Sequence, residues 1–248
     1  MESGTKTANG ATSGLDYLKQ LGVSHVQIMP MYDYGSVDET GDLSYNAQGA
    51  QNWGYDPENY NVPEGSYSSD PSDPASRVTE MKQMVKGLHE NDIRVIMDVV
   101  YNHVYNAANH SFNKTVPGYY FRYDDNGSLV NNSGCGNDTA SERKMMRKYI
   151  VDSVTYWAKN YNVDGFRFDL MGLIDTETMK EVRAALDEID PSIIILGEGW
   201  DMNTTMDEGE MTIQPNAYQV ASDGTNNGIA FFNDSVRDGL KGYILQKW

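Results

Sequence analysis

The chain has 248 residues, 39% of them hydrophobic and 22% charged, with a formal net charge of −17 and a single cysteine, Cys135. That length supports one large domain with a substantial core, while the acidic balance disfavours nucleic acid and anionic membrane surfaces as partners. No apolar run approaches the roughly 20 residues of a membrane helix, and no signal peptide is visible at the start of the chain. The charge fits a neutral or cationic ligand, or simply a solvated surface. A lone cysteine cannot close an internal disulfide, which leaves the compartment open, with a secreted or cell-surface location compatible with it.

Residues 1–12 are polar and read as loop. Ser13 with Asp16 is a capping-box pattern; Leu15, Leu18 and Leu21 give one helical face, and Gly22 suits a left-handed C-cap. Val23 to Pro30 follows as a strand. From Met31 to about Asp73 no periodic pattern appears, a length that points to a functional segment. Asp73-Pro74 opens a second helix, with Val78, Met81, Val85 and Leu88 on its face and Asn91-Asp92 at its end. Ile93–Val100 is a nearly continuous apolar strand, as in a parallel sheet covered on both faces. A second irregular segment, residues 104–138, is rich in Asn, Gly and Ser.

Thr139 with Glu142 is another capping box. It starts a helix of roughly 20 residues by the spacing of Met146, Tyr149, Ile150, Val154, Trp157 and Tyr161. Val163–Phe168 is a short buried strand ending on Asp169. Asp175 caps a helix with Met179, Val182, Leu186 and Ile189 on one face. Ile193–Leu196 is a strand that runs into Gly197-Glu198-Gly199-Trp200. After a loop over residues 201–227, Gly228–Asp234 reads as a short strand and Ser235 to Tyr243 as a helix start.

The pattern therefore holds five βα-type strands. At four of them polar or charged residues cluster just past the C-terminal end: Asn102/His103, Asp169, Glu198 and Asn233/Asp234. In parallel α/β folds the active site lies at that end. Arg167 and Asp169 share a strand face, so the guanidinium favours an ionised carboxylate, as a nucleophile requires. A structural ion pair at the rim is the competing reading. Glu198, in an apolar frame beside Trp200, would then be the second carboxylate with a separated pKa, and the pair fits glycoside hydrolysis. Five strands do not close a (β/α)8 barrel. The choice is an open sheet or a piece of a longer enzyme.

Several segments together resemble the α-amylase clan of glycoside hydrolases. Asp98-Val-Val-Tyr-Asn-His103, Gly165-Phe-Arg-Phe-Asp169 and Gly197-Glu-Gly-Trp200 look like its first three conserved regions. Within the clan, Asn52-Trp-Gly-Tyr-Asp-Pro57, Asn61–Tyr67, Phe112–Tyr120, Ser133–Glu142 and Phe232–Gly242 resemble type I pullulanases. The resemblance implies an α/β fold, an incomplete (β/α)8 TIM barrel, with residues 1–248 a partial catalytic domain that includes a loop-rich insertion at 104–138. It implies retaining hydrolysis of α-1,6 branch linkages in pullulan, glycogen or starch-derived dextrins.

By the same resemblance Asp169 is the nucleophile and Glu198 the acid/base. Arg167 orients the nucleophile, Tyr55 and His103 contact the sugar, Asp98 supports Arg167, and Trp200 lies in the substrate site. The partner is a branched α-glucan, with neither nucleic acid nor membrane. No cofactor is required; Asn102 matches a calcium ligand of many α-amylases, and no metal is assigned. The clan's His-Asp pair after the seventh strand, which carries a third carboxylate, has no counterpart here. The expectation is a fragment with little or no activity alone. Two other readings stay open: another debranching enzyme of the clan, of isoamylase or glycogen-debranching type, and a non-catalytic carbohydrate-binding remnant.

Overall fold

The computed structural model describes residues 4–44, 52–202, 204–224 and 227–242. Expectations for residues 1–3 and for Tyr243 lie outside them. Helix α1 (Gly14–Leu21) leads into strand β1 (His25–Ile28). Gly22, at φ 69°, returns its N–H to the Lys19 carbonyl, a left-handed cap that glycine adopts without a Cβ clash. The capping box at the other end does not form. Ser13 bonds Thr5 at 3.2 Å, and the Asp16 carboxylate accepts from the Gly4 N–H instead.

The segment that lacks periodicity contains a hairpin. Strand β2 (Tyr32–Tyr34) pairs antiparallel with β3 (Pro57–Pro63). Its signal is hidden because β3 buries every third residue, Pro57, Tyr60 and Pro63, across a shifted register. Helix α2 (Pro74–His89) begins as expected, the Asp73 side chain accepting from the Ala75 N–H at 3.0 Å. Strand β4 spans Arg94–Val99.

The 104–138 segment is not wholly irregular, because it holds the short helix α3 (Ser111–Thr115), capped by His110. Helix α4 (Lys144–Tyr161) starts later than the Thr139/Glu142 pattern suggests. Both residues are otherwise engaged: the Thr139 hydroxyl donates to the Tyr101 carbonyl and Glu142 pairs with Arg122 at 2.8 Å. Strand β5 (Gly165–Phe168), helix α5 (Thr176–Asp187), strands β6 (Ile194–Gly197) and β7 (Ala230–Phe231), and helix α6 (Asp234–Lys241) complete the described elements. Asp175 caps α5 by accepting from the Thr178 N–H at 2.9 Å, as its sequence position implies.

Five strands lie parallel in the order β1-β4-β5-β6-β7. Apart from the hairpin, each stands beside the next in the chain, the winding of a (β/α) barrel, of whose eight strands the described residues supply five. One face of the sheet is apolar: Val95, Met97, Val99, Phe166, Phe168 and Ile195 are buried in one cluster with Val85 of α2, Trp157 of α4 and Val182 of α5. Each such side chain contributes on the order of 2 kcal/mol of burial. The alternate residues, Asp98, Arg167 and Leu196, point to the other face and are level with one another, since Asp98 pairs with Arg167 and Arg167 with Leu196. Asp169 and Glu198 extend the ladder by one more residue: the Asp169 N–H donates to Val99 and that of Glu198 to Phe168.

Candidate active site

This register brings the charged strand ends together. Arg167 is 6% exposed and sits among three carboxylates. Its Nη1 donates to Asp98 Oδ1 at 2.9 Å and to Asp169 Oδ1 at 2.8 Å, and its Nη2 reaches Glu198 Oε1 at 2.5 Å. Burial alone would lower the Arg167 pKa, but the charges of Asp98, Glu198 and Asp169 outweigh it and raise the value. Asp98 has one such cation for partner and is 1% exposed, so burial prevails there and pushes its pKa up to about 6. The Tyr55 hydroxyl donates to Asp98 Oδ2 at 2.8 Å, and the Tyr55 ring lies 6.0 Å from the Arg167 guanidinium.

Asp169 receives a second donor. Asn102 Nδ2 lies 3.0 Å from Asp169 Oδ2 and 2.8 Å from the Asp169 carbonyl. Asn102 Oδ1 faces His103 Nδ1 at 2.6 Å, and His103 Nε2 faces the Tyr55 carbonyl at 2.8 Å. Two acceptors favour a ring protonated on both nitrogens; burial opposes that charge and pushes the His103 pKa down.

The turn after Asp169 is tight. Leu170 adopts φ 39° and ψ 50°, and from that left-handed conformation its N–H donates to Glu198 Oε2 at 3.1 Å. Non-glycine residues hold such a conformation only where the surroundings enforce it. Two residues on, Gly172 lies so close to the Trp200 carbonyl oxygen that a Cβ would clash with it.

Six of the seven predicted site residues, Tyr55, Asp98, His103, Arg167, Asp169 and Glu198, thus form one hydrogen-bonded layer. Trp200 flanks it, its ring 6.5 Å from that of Phe232. The apolar frame expected around Glu198 is not what surrounds it, because each of its oxygens has a donor. Asn233 and Asp234 do not join the site: Asn233 caps α6 through the Val236 N–H at 2.9 Å, and Asp234 pairs with Arg237 at 2.7 Å.

Two contributors have little or no sequence signal as site groups, the Leu170 N–H and Gln27 of β1, whose amide is 3.4 Å from Asp98 Oδ2; the strand-end position marks Asn102, but not its contact with Asp169. A polar residue inside the apolar run Val26-Gln27-Ile28 is the one cue that marks Gln27.

Asn102 does not fit the calcium-ligand role. Its oxygen is directed at the His103 N–H, and its nitrogen, which cannot ligate a cation, faces Asp169. Among the described residues, the carboxylates that cluster to within 4.8 Å are Asp33, Glu39 and Glu64 on the β2–β3 side. They are served by Asn59, Arg77 and backbone N–H groups.

The profile of the alpha-amylase catalytic domain matches residues 2–126. A pullulanase of Bacillus subtilis (strain 168) is 48% identical over 97% of this chain, which spans 32% of that relative. Pullulanase 1 of Arabidopsis thaliana chloroplasts is 36% identical over 93% of this chain and 27% of its own length. The crystal structure of the Paenibacillus barengoltzii pullulanase in complex with maltohexaose and α-cyclodextrin superposes with a TM-score of 0.91 at 51% identity, covering 98% of this chain and 37% of that one. The chain thus spans about a third or less of the length of these curated relatives. With the barrel winding, the strand-end carboxylates and these similarities together, the chain belongs to the α-amylase catalytic-domain family and resembles the pullulanases within it.

Proposed function

We propose that this chain is a partial catalytic barrel domain, with its loop-rich insertion at 104–138, of a retaining glycoside hydrolase that cleaves α-1,6-glucosidic branch linkages in pullulan, glycogen or starch-derived dextrins. The observation that carries the reading is a single guanidinium bridging two strand-end carboxylates, Asp169 and Glu198. Two carboxylates on one guanidinium fork are compatible with the retaining class, in which about 5–5.5 Å separates them. The relatives that match along almost the whole chain are named pullulanases, which supports the α-1,6 linkage.

In this mechanism Asp169 attacks the anomeric carbon as the bond to the branch-point oxygen breaks, and Glu198 gives its proton to that oxygen. Water then attacks the same carbon, its proton goes to Glu198, and Asp169 departs. Arg167 holds Asp169 in line. Glu198 must exchange its contact with Arg167 for the glycosidic oxygen when substrate enters, a rearrangement common to resting sites. Tyr55 and Trp200 offer rings to the sugar faces, and His103 would reach a hydroxyl by exchanging the Tyr55 carbonyl that its Nε2 now faces.

The test uses the protein with its native flanking sequence. Asp169→Asn should abolish pullulan hydrolysis while maltotetraose binding, measured by calorimetry, persists. Surviving hydrolysis would remove Asp169 as nucleophile. The isolated 248-residue chain should show little or no activity; efficient pullulan cleavage by it would show that the described strands suffice.

A further inference from the structure

Asn102 is fully buried, lies just past the end of β4 and touches the nucleophile from the side opposite Arg167. Its amide can face only one way. With the oxygen toward Asp169, two carbonyl-type oxygens would oppose it; with the nitrogen there, both Asp169 oxygens it meets become acceptors, at 2.8 and 3.0 Å. The amide oxygen is then committed to His103 at 2.6 Å, so His103 Nδ1 carries a hydrogen. The segment bearing Asn102 is itself fixed, since its carbonyl accepts from the Thr139 N–H at 2.9 Å.

We infer that Asn102 is a positioning residue for Asp169: one amide holds the nucleophile's Oδ2 and main-chain oxygen and, through its own oxygen, keeps a hydrogen on His103 Nδ1. The inference rests on the reading of Asp169 as nucleophile. The two carboxylate oxygens are thereby held by different partners, Oδ1 by the Arg167 cation of β5 and Oδ2 by a neutral amide of the segment after β4. Two donors from two segments remove the rotation about the Asp169 side chain that a single guanidinium would allow. Asn102 also bonds the Asp169 main-chain oxygen, so the start of the Leu170 turn is pinned together with the carboxylate. A misplacement of about 1 Å at such a site costs on the order of 100-fold in rate.

The experiment compares Asn102→Ala, Asn102→Asp and Asp169→Asn in the protein with its native flanking sequence, on pullulan, with circular dichroism as the folding control. Asn102→Ala should lower kcat about 10–100-fold while KM stays within about threefold. Asn102→Asp keeps the acceptor for His103 but sets a carboxylate against Asp169, and should lose at least as much kcat. If Asp169→Asn abolishes hydrolysis while both Asn102 variants keep kcat within about twofold, the positioning role is wrong and the nucleophile reading stands. If Asp169→Asn retains hydrolysis, the nucleophile reading fails, and the inference with it. Should the Asn102 variants not fold, the imidazole 15N spectrum of the wild-type protein decides: a protonated Nδ1 on His103 supports the amide orientation, and a bare Nδ1 overturns it.

Discussion

Replacing Arg167 by Met keeps most of the side-chain volume and deletes the cation that Asp98, Asp169 and Glu198 share at 2.9, 2.8 and 2.5 Å. Asp169 and Glu198 retain some access to water, but Asp98, 1% exposed, keeps just the Tyr55 hydroxyl and the distant Gln27 amide. Stranding a buried charge in this way costs about 3–5 kcal/mol. In a protein of this size that is a fall in Tm of roughly 10 °C. The loss depends on pH with a definite sign. Burial already raises the Asp98 pKa to about 6, and Arg167 is among the groups that restrain it, so its removal raises the value further. A carboxyl raised above its unfolded value is best tolerated when protonated, and stability falls as pH rises through the folded pKa. The penalty of Arg167→Met should therefore be full at pH 8 and clearly smaller at pH 5. Adding Asp98→Asn should recover about 2 kcal/mol or more of it at pH 8. Urea unfolding of the four proteins at both pH values measures this. An equal penalty at both, or strict additivity of the two substitutions, would refute the claim that Asp98 is the stranded charge.

Tyr55→Phe removes a hydrogen bond that lowers the Asp98 pKa; the Asp98 carboxyl should titrate at higher pH than in the wild type, visible in its 13C chemical shift. Glu198→Gln should cost about 100–10,000-fold in kcat with little loss of stability, since it relieves repulsion among three carboxylates around one cation; steady-state rates and thermal melts check the two parts. Gly172→Ala places a methyl against the Trp200 carbonyl at 1.9 Å, and should destabilise by at least about 3 kcal/mol while disturbing Trp200 fluorescence.

Much of this site was readable from strand endings. Arg167 and Asp169 lie two apart in an apolar run and so share a face, and Glu198 ends the next such run, whereas Asp98, inside the run Ile93–Val100, is marked by the resemblance alone. Neighbouring strands in the chain then became neighbours in the sheet, as short βα winding requires. The β2–β3 hairpin escaped because its bulged register gives a burial period of three rather than two. Two of the capping-box patterns failed because their hydroxyls and carboxylates found partners distant in sequence, which no local pattern encodes. The Asn102 contact and the Leu170 N–H depend on backbone turns whose geometry only the folded chain specifies. Asn233 and Asp234 misled for the opposite reason: a polar pair after a strand is also what a helix start looks like.

The paired rows of β4, β5 and β6 set where this chain can change length. A residue inserted within β4 or β5 would turn Asp98, or Arg167 with Asp169, toward the helix layer and bring Val99 or Phe168 into the charged one. No such parity governs the connections over residues 104–138 and 201–227, where additions move neither carboxylate. Insertions and deletions are therefore filtered by position: strand interiors tolerate none, while loops above the same charged layer are free to lengthen. Divergence among relatives of this chain should accordingly be recorded as changes in the walls of the cleft, with its floor unchanged.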